Sequence, residues 1–141
     1  VQAPHNLGAI LRTADAAGYK LAILMKGTAD VYAPKVVRAA TGSLFRMPVV
    51  SMASAKELAE FTGAAGKKLT ATCLDARRWY YDEDLTHDIA LIIGNEGNGI
   101  SRDLIESSDI QIKIPMQGNI ESLNAAVAAG VLMYEAMRGK R

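Results

Sequence analysis

Short apolar runs alternate along the chain with stretches in which apolar residues recur every three or four positions. "NLGAILRTADAAG" is of the second kind: Leu7, Ile10, Leu11, Ala14 and Ala17 share a face, Asn6 is placed to cap a helix, and Gly18 to end it. "KLAILM" (Lys20 to Met25) reads as a short buried strand. "YAPKVVRAATG" predicts a second helix, with Pro34 in its first turn and Gly42 at its close. "FRMPVV" reads as a strand whose Pro48 marks an edge or a bulge. Ser54 and Glu57 form a capping box that opens the helix "SAKELAEFTGAAG". Leu69 to Asp75 predicts the next strand, and the aromatic and acidic stretch "ARRWYYDEDL" is irregular. "DIALIIG" is the most hydrophobic strand; the loop "NEGNG" follows it, and Ser101 caps a short helix. "IQIKIPM" is the last strand, and Glu121 to Arg138 the last helix. Strands separated by helices predict an α/β fold: a parallel sheet with helices on both faces.

Composition narrows the partners. A chain of 141 residues, 50% hydrophobic and 22% charged, fits one domain with a substantial core, and no repeat or linker divides it. The net charge of +1 excludes bulk attraction to nucleic acid, so any such partner must be held by a local patch such as Lys35, Arg38 and Arg46, by a dimer groove or by a missing domain. The lone Cys73 has no internal disulfide partner, which points to a reducing, cytoplasmic setting. No apolar run reaches the ~18 residues of a membrane span, and no signal peptide opens the chain. His5 and His87 are isolated from other metal-ligating residues, so no metal site is assigned, and no serine stands in a nucleophile elbow. Trp79, Tyr80 and Tyr81 read as rim packing. "VQAPHN" enters a helix with no strand before it, the pattern expected of a fragment cut at a boundary.

Parallel sheets bind ligands outside the carboxyl ends of their strands, which makes the loops after "LTATCLD", "DIALIIG" and "IQIKIPM" one rim. "GNEGNGIS" (Gly94 to Ser101) has glycines that let backbone turn sharply and approach a ligand. Its order fits neither a dinucleotide fingerprint nor a phosphate loop. Glu96, among those glycines, can bind a cation or orient an arginine. In "IPMQGNIESLNAAVAAG", Gln117, Asn119, Glu121, Ser122 and Asn124 crowd the step from strand to small-residue helix. One cap needs fewer polar groups. Arg12 stands among apolar neighbours on the first helix, and its fork of donors suits phosphate or carboxylate.

These three stretches, in this order, resemble the three motifs of the SpoU (TrmH-like) family of RNA ribose methyltransferases, in the SPOUT superfamily. "NLGAILRTADAAG" is similar to the first, "LIIGNEGNGIS" to the second and "IPMQGNIESLNAAVAAGVLMYEAMR" to the third, and the likeness covers essentially the whole chain. It implies a C-terminal trefoil knot, a homodimer, S-adenosylmethionine as cofactor, no metal, and methylation of a ribose 2'-hydroxyl in tRNA or rRNA. It implies cofactor contacts at Thr72, Leu74, Gly94, Asn95, Gly97, Ile114, Met116, Leu123 and Asn124. The catalytic set would be Arg12, Asn6, Glu96, Ser122 and Asn124, with RNA contacts at Arg12, Lys35, Arg38 and Arg46. Residues 1–141 would then be the catalytic domain, short of the family's opening strand and of any N-terminal RNA-recognition domain. Two rival readings are a SPOUT-type base-nitrogen methyltransferase and a catalytically silent RNA-binding module. Asn6 with Arg12 argues for the ribose class, and Arg12, Glu96 and Asn124 together argue against a silent module.

Overall fold

Pro4 presets the backbone of the first helical turn, and α1 runs from Pro4 to Ala16 in a computed structural model that describes residues 1–140. The cap differs from expectation. Ala3 holds it with extended backbone and no side-chain bond, while Asn6 lies inside the helix and is buried. Gly18, at φ +87°, ends the helix as its position predicts.

The remaining elements follow in chain order: β1 (Ala22–Met25), α2 (Pro34–Ala40), β2 (Val49–Met52), α3 (Ala55–Ala64), β3 (Lys68–Thr72), β4 (Arg78–Trp79), β5 (Ile89–Leu91), α4 (Arg102–Ser107), β6 (Ile110–Lys113) and α5 (Ala125–Ala136). Pro48 precedes β2 rather than interrupting it, and its carbonyl accepts the Ala22 N–H at 3.0 Å. Ser54 caps α3 by accepting the Glu57 N–H, and Glu57 reaches back to the Ala53 N–H, one residue before the cap's own N–H that a full capping box uses. The stretch read as irregular contains the two-residue strand β4. The last helix starts at Ala125, later than Glu121. Asn124 turns its side-chain oxygen onto the Ala126 and Val127 amides and so leaves residues 121–123, the polar Glu121 and Ser122 among them, outside the helix.

Every strand pair is parallel, but the strands make two sheets: β1–β2, and a four-stranded sheet in the order β4-β6-β3-β5. Ile112 of β6 pairs with Thr72 on one side and Arg78 on the other, so the chain from 73 to 77 arches over β6. The Cys73 N–H fastens the arch to the Ile112 carbonyl at 2.9 Å.

The same two helical layers cover both sheets. On one face Leu7 and Leu11 of α1 meet Val36 and Met47 over Ala22 and Leu24 of β1, and Ile10 meets Ala129 and Met133 of α5 over Leu91. On the other, Leu58 of α3 packs with Leu69 and Ile92, and Ile23 and Met25 of β1 join them. Helices α1 and α2 touch at Gly8, where a Cβ would lie 2.4 Å from the Ala39 Cβ and 2.8 Å from the Val36 carbonyl oxygen. Gly8→Ala gains up to ~1 kcal/mol of helix propensity. It overpacks backbone that cannot rotate away, at a cost of about 1–3 kcal/mol. A lower urea midpoint is the expected result; an unchanged one would mean that the two helices separate freely.

Candidate active site

Strands β6, β3 and β5 are neighbours and run the same way, so their carboxyl-end segments (114–124, 73–77 and 94–100) leave at one edge. The 94–100 loop folds on itself. Asn95 and Gly99 exchange backbone hydrogen bonds of 2.9 Å, and the Asn95 side-chain oxygen accepts from the Gly97 and Asn98 amides. Gly94 permits this closure: a Cβ there would stand 2.6 Å from the Gly99 carbonyl carbon.

The loop carries Glu96 to the start of α1. Its carboxylate accepts the Gln2 N–H at 2.9 Å, the Ala3 N–H at 2.8 Å and the Asn6 Nδ2 at 3.2 Å. The Asn6 Oδ1 in turn accepts from the Asn124 Nδ2 at 3.2 Å. The direction of this chain is fixed at its ends. Because Asn124 spends its oxygen on two backbone amides, only its nitrogen faces Asn6, which then turns its own nitrogen to Glu96. Asn6, 5% exposed, thus ties together the three stretches that sequence resemblance singles out.

Partial burial raises the Glu96 pKa, but hydrogen bonds from the Gln2 and Ala3 amides and from Asn6 outweigh it and bring it from 4.5 to about 2. Such a carboxylate stays ionised and fully bonded, so it fixes the start of α1 and does not serve as a base. Its contribution to stability is complete above the unfolded value of 4.5 and is lost as pH falls toward 2. Urea midpoints measured from pH 6 down to 2.5 should therefore fall more steeply for the native protein than for Glu96→Gln. Parallel curves would remove this role from Glu96.

The other residues expected at a site fall into two groups. Thr72 and Leu74 lie on the arch side of the rim, Ile114 and Met116 just past β6, and Ser122 and Leu123 just before the Asn124 cap. Leu74 and Ile120 are 78% and 71% exposed, and Leu123 also reaches solvent. Apolar side chains beside free loop backbone suit a nucleoside with its purine face and polar edges, so the rim fits S-adenosylmethionine. Asn95 and Gly97, also expected at the cofactor, use the polar groups named above to shape their own loop.

Arg12, Lys35 and Arg38 are exposed on α1 and α2 and have no ion pair among the described residues. Arg12 stands six residues after Asn6, roughly 9 Å along the helix axis at 1.5 Å per residue. Arg46 is engaged. Its Nε donates to Asp15 at 2.8 Å, the Ser43 hydroxyl donates to the same oxygen, and Arg46 foremost holds the Asp15 carboxyl below its usual range. Sequence gave no sign of this tie, nor of the Gln2 and Ala3 amides, which any residue type supplies. The Asn124 cap was signalled by an asparagine standing just before the small-residue helix. Among the described residues no three His, Cys, Asp or Glu side chains gather to hold a metal ion.

A parallel α/β domain with an arched strand and a glycine-rich rim is the class of protein that this fold and site define. The chain belongs to the SpoU rRNA Methylase family, which it matches over residues 1–134. It is 42% identical to the 23S rRNA (guanosine(2553)-2'-O)-methyltransferase RlmP of Bacillus subtilis, over 99% of this chain and 55% of that protein. It is 38% identical to the 23S rRNA (guanosine-2'-O-)-methyltransferase RlmB of Pseudomonas putida, over 98% of this chain and 56% of that protein. Among solved structures, the AdoMet-bound rRNA methyltransferase of Sinorhizobium meliloti superposes with a TM-score of 0.92 at 35% identity, covering 99% of this chain and 54% of that one. The AdoMet complex of the SpoU methyltransferase AviRb from Streptomyces viridochromogenes gives 0.90 at 39%, covering 97% and 56%. The chain spans about half the length of the relatives it matches.

Proposed function

We propose that the full-length protein containing this domain transfers a methyl group from S-adenosylmethionine to a ribose 2'-hydroxyl of RNA, with ribosomal RNA as the substrate class that its relatives' names favour. The observation that carries this is the Glu96–Asn6–Asn124 chain, which joins all three family motifs at the carboxyl edge of the sheet.

The cofactor supplies an electrophilic methyl group. The rim segments at Thr72 to Leu74, Gly94, Ile114 to Met116 and Leu123 would hold it, their apolar side chains suiting an adenosine. Orientation of this kind supplies roughly 7–11 kcal/mol of barrier lowering in well-aligned systems. Arg12 clamps the target phosphate or the oxyanion that develops on the ribose. Its guanidinium, with a pKa above ~12, does not act as the base. Asn124 has both amide atoms engaged, so the departing proton is left to Ser122, whose hydroxyl is exposed, or to water. Lys35 and Arg38 extend the cationic surface toward the RNA backbone; Arg46, bound to Asp15, contributes less.

The family's trefoil knot is part of this reading. Support comes from the arch at 73–77, since β6 passes beneath it before the chain reaches α5. It would be one of the rare exceptions to unthreaded connectivity. A homodimer is the second part. Helix α5 is apolar all round and leaves Val127 and Tyr134, seven residues apart on one face, about half exposed. Apolar surface of that kind marks an interface. Light scattering at micromolar concentration should give twice the monomer mass, and a monomeric mass would remove the dimer. Calorimetric titration of the full-length protein with S-adenosylmethionine tests the central reading. Saturable binding near one site per chain is expected, and no heat at millimolar cofactor would leave the silent RNA-binding module in its place.

A further inference from the structure

The turn that follows α2 inverts the usual placing of polar and apolar side chains. Ser43 is 1% exposed and Phe45 87%, the highest value of any large apolar side chain among the described residues. Leu44, between them, packs against the core of Leu7, Leu11 and Val36, and Met47 beyond is buried. A turn shaped by packing alone would bury the phenylalanine and expose the serine. An exposed ring with a buried hydroxyl beside it is the informative exception.

The ring does not stand on loose chain. The Phe45 N–H bonds to the Gly42 carbonyl at 3.0 Å, and the Arg46 and Met47 amides both bond to the Ser43 carbonyl, at 3.1 and 3.0 Å. Thr41 enters the turn with left-handed backbone, φ +46°, which a non-glycine residue adopts at a cost. Asp15 of α1 accepts the Ser43 hydroxyl at 3.1 Å and pairs with the Arg46 guanidinium at 2.7 Å. Both neighbours of the Leu44–Phe45 pair are thus tied to one carboxylate of α1.

That tie sets the ring beside Arg12. Gly8, Arg12 and Asp15 fall within ~60° of one another around the axis of α1. Gly8 meets Val36 and Ala39 of α2, and Asp15 meets the turn, so Arg12 stands between the two contacts. Lys35 and Arg38 are exposed on α2 itself, and Arg38 is one turn before Gly42. None of the three cations has an ion pair among the described residues. Cations free to take phosphates, next to a ring with both faces open to solvent, are what an unpaired stretch of RNA requires. Three such charges around one ring favour an anionic partner over an apolar protein surface.

We infer that Phe45 is a stacking platform for an unpaired base of the RNA substrate, held next to Arg12 by the Asp15 tie. The inference deepens the RNA reading proposed above and rests on it. Stacking reads no base edge, so the platform supplies affinity and posture rather than sequence choice. It also gives Arg46 a role: spent on Asp15, it steadies the turn that carries the ring.

Binding of the full-length protein to fragments of protein-free ribosomal RNA, followed across a salt series, tests it. Phe45→Ala and Phe45→Leu should each weaken binding by about 5- to 100-fold, the worth of one stacked base, and Phe45→Tyr and Phe45→Trp should stay within ~3-fold of native. The log–log salt slope should be unchanged in Phe45→Ala and shallower by about 0.7 in Arg38→Ala, which loses a phosphate contact. Native affinity in Phe45→Ala overturns the platform and leaves the RNA reading standing. Native affinity in Phe45→Leu does the same, because it makes the contact apolar packing against protein. A drop in assembly mass for Phe45→Ala also overturns it, by placing the ring against a second copy. Native protein that binds no RNA at micromolar concentration removes the RNA reading, and the platform with it.

Discussion

Arg12→Ala in the full-length protein is expected to lower methyl transfer to cognate RNA by about 10²–10³, the usual effect of losing one preorganised donor to developing charge. Its affinity for S-adenosylmethionine should stay within a few-fold of native. The separation follows from where the residue stands. Arg12 is exposed on α1, while Leu7, Ile10 and Leu11 anchor that helix to α2 and α5 without it. It lies a little over two turns from Pro4, and the Glu96 clamp on Gln2, Ala3 and Asn6 does not involve it. Arg12→Lys should restore little, since a point charge lacks the planar fork. Single-turnover transfer and cofactor titration, run on the same preparations, check both halves. A variant that remains within a few-fold of native transfer would make Arg12 an ordinary surface arginine, and the clamp would have to be sought at Lys35 or Arg38.

The helices and most strands were legible because their periodicities are local: an apolar face along "NLGAILRTADAAG" needs no knowledge of what covers it. Strand partners are not local, so one sheet was expected where two stand. The residue count between strands does not say that β6 slips between β3 and β4. At the site, the polar cluster ending in Asn124 was visible as an excess of polar groups. The bonds of Glu96 to the amides of Gln2 and Ala3 were not, because backbone donors have no residue type and the contacts span more than ninety positions. Arg46 shows the opposite case. An arginine near other basic residues read as an RNA contact, and only the fold reveals that Asp15, 31 positions away, has taken its fork.

Gly94→Ala should abolish measurable cofactor binding, with at least a ~100-fold loss of affinity, while the fold survives. Were Gly94 merely the floor of a pocket, a single methyl would be tolerated and only a bulky side chain would obstruct the ligand. The geometry predicts otherwise. The new Cβ would meet the Gly99 carbonyl carbon at 2.6 Å, the Ile100 nitrogen at 2.8 Å and the Gly99 Cα at 3.0 Å, all backbone. No rotamer relieves such contacts, so the loop must open and give up the Asn95–Gly99 hydrogen bonds. Opening it removes the rim between β5 and α4 and withdraws Glu96 from Gln2, Ala3 and Asn6. The atoms nearest the added methyl are loop backbone and not the core at Leu69 and Ile92, so far-ultraviolet dichroism should be native. Gly97→Ala is the control: its Cβ would lie 3.5 Å from the Asn95 Oδ1, an ordinary contact, and the backbone there needs no positive φ. It should bind within a few-fold of native. Equal, mild losses in both variants would show that the cofactor does not depend on this loop's closure, and near-native affinity in Gly94→Ala would place the site elsewhere on the rim.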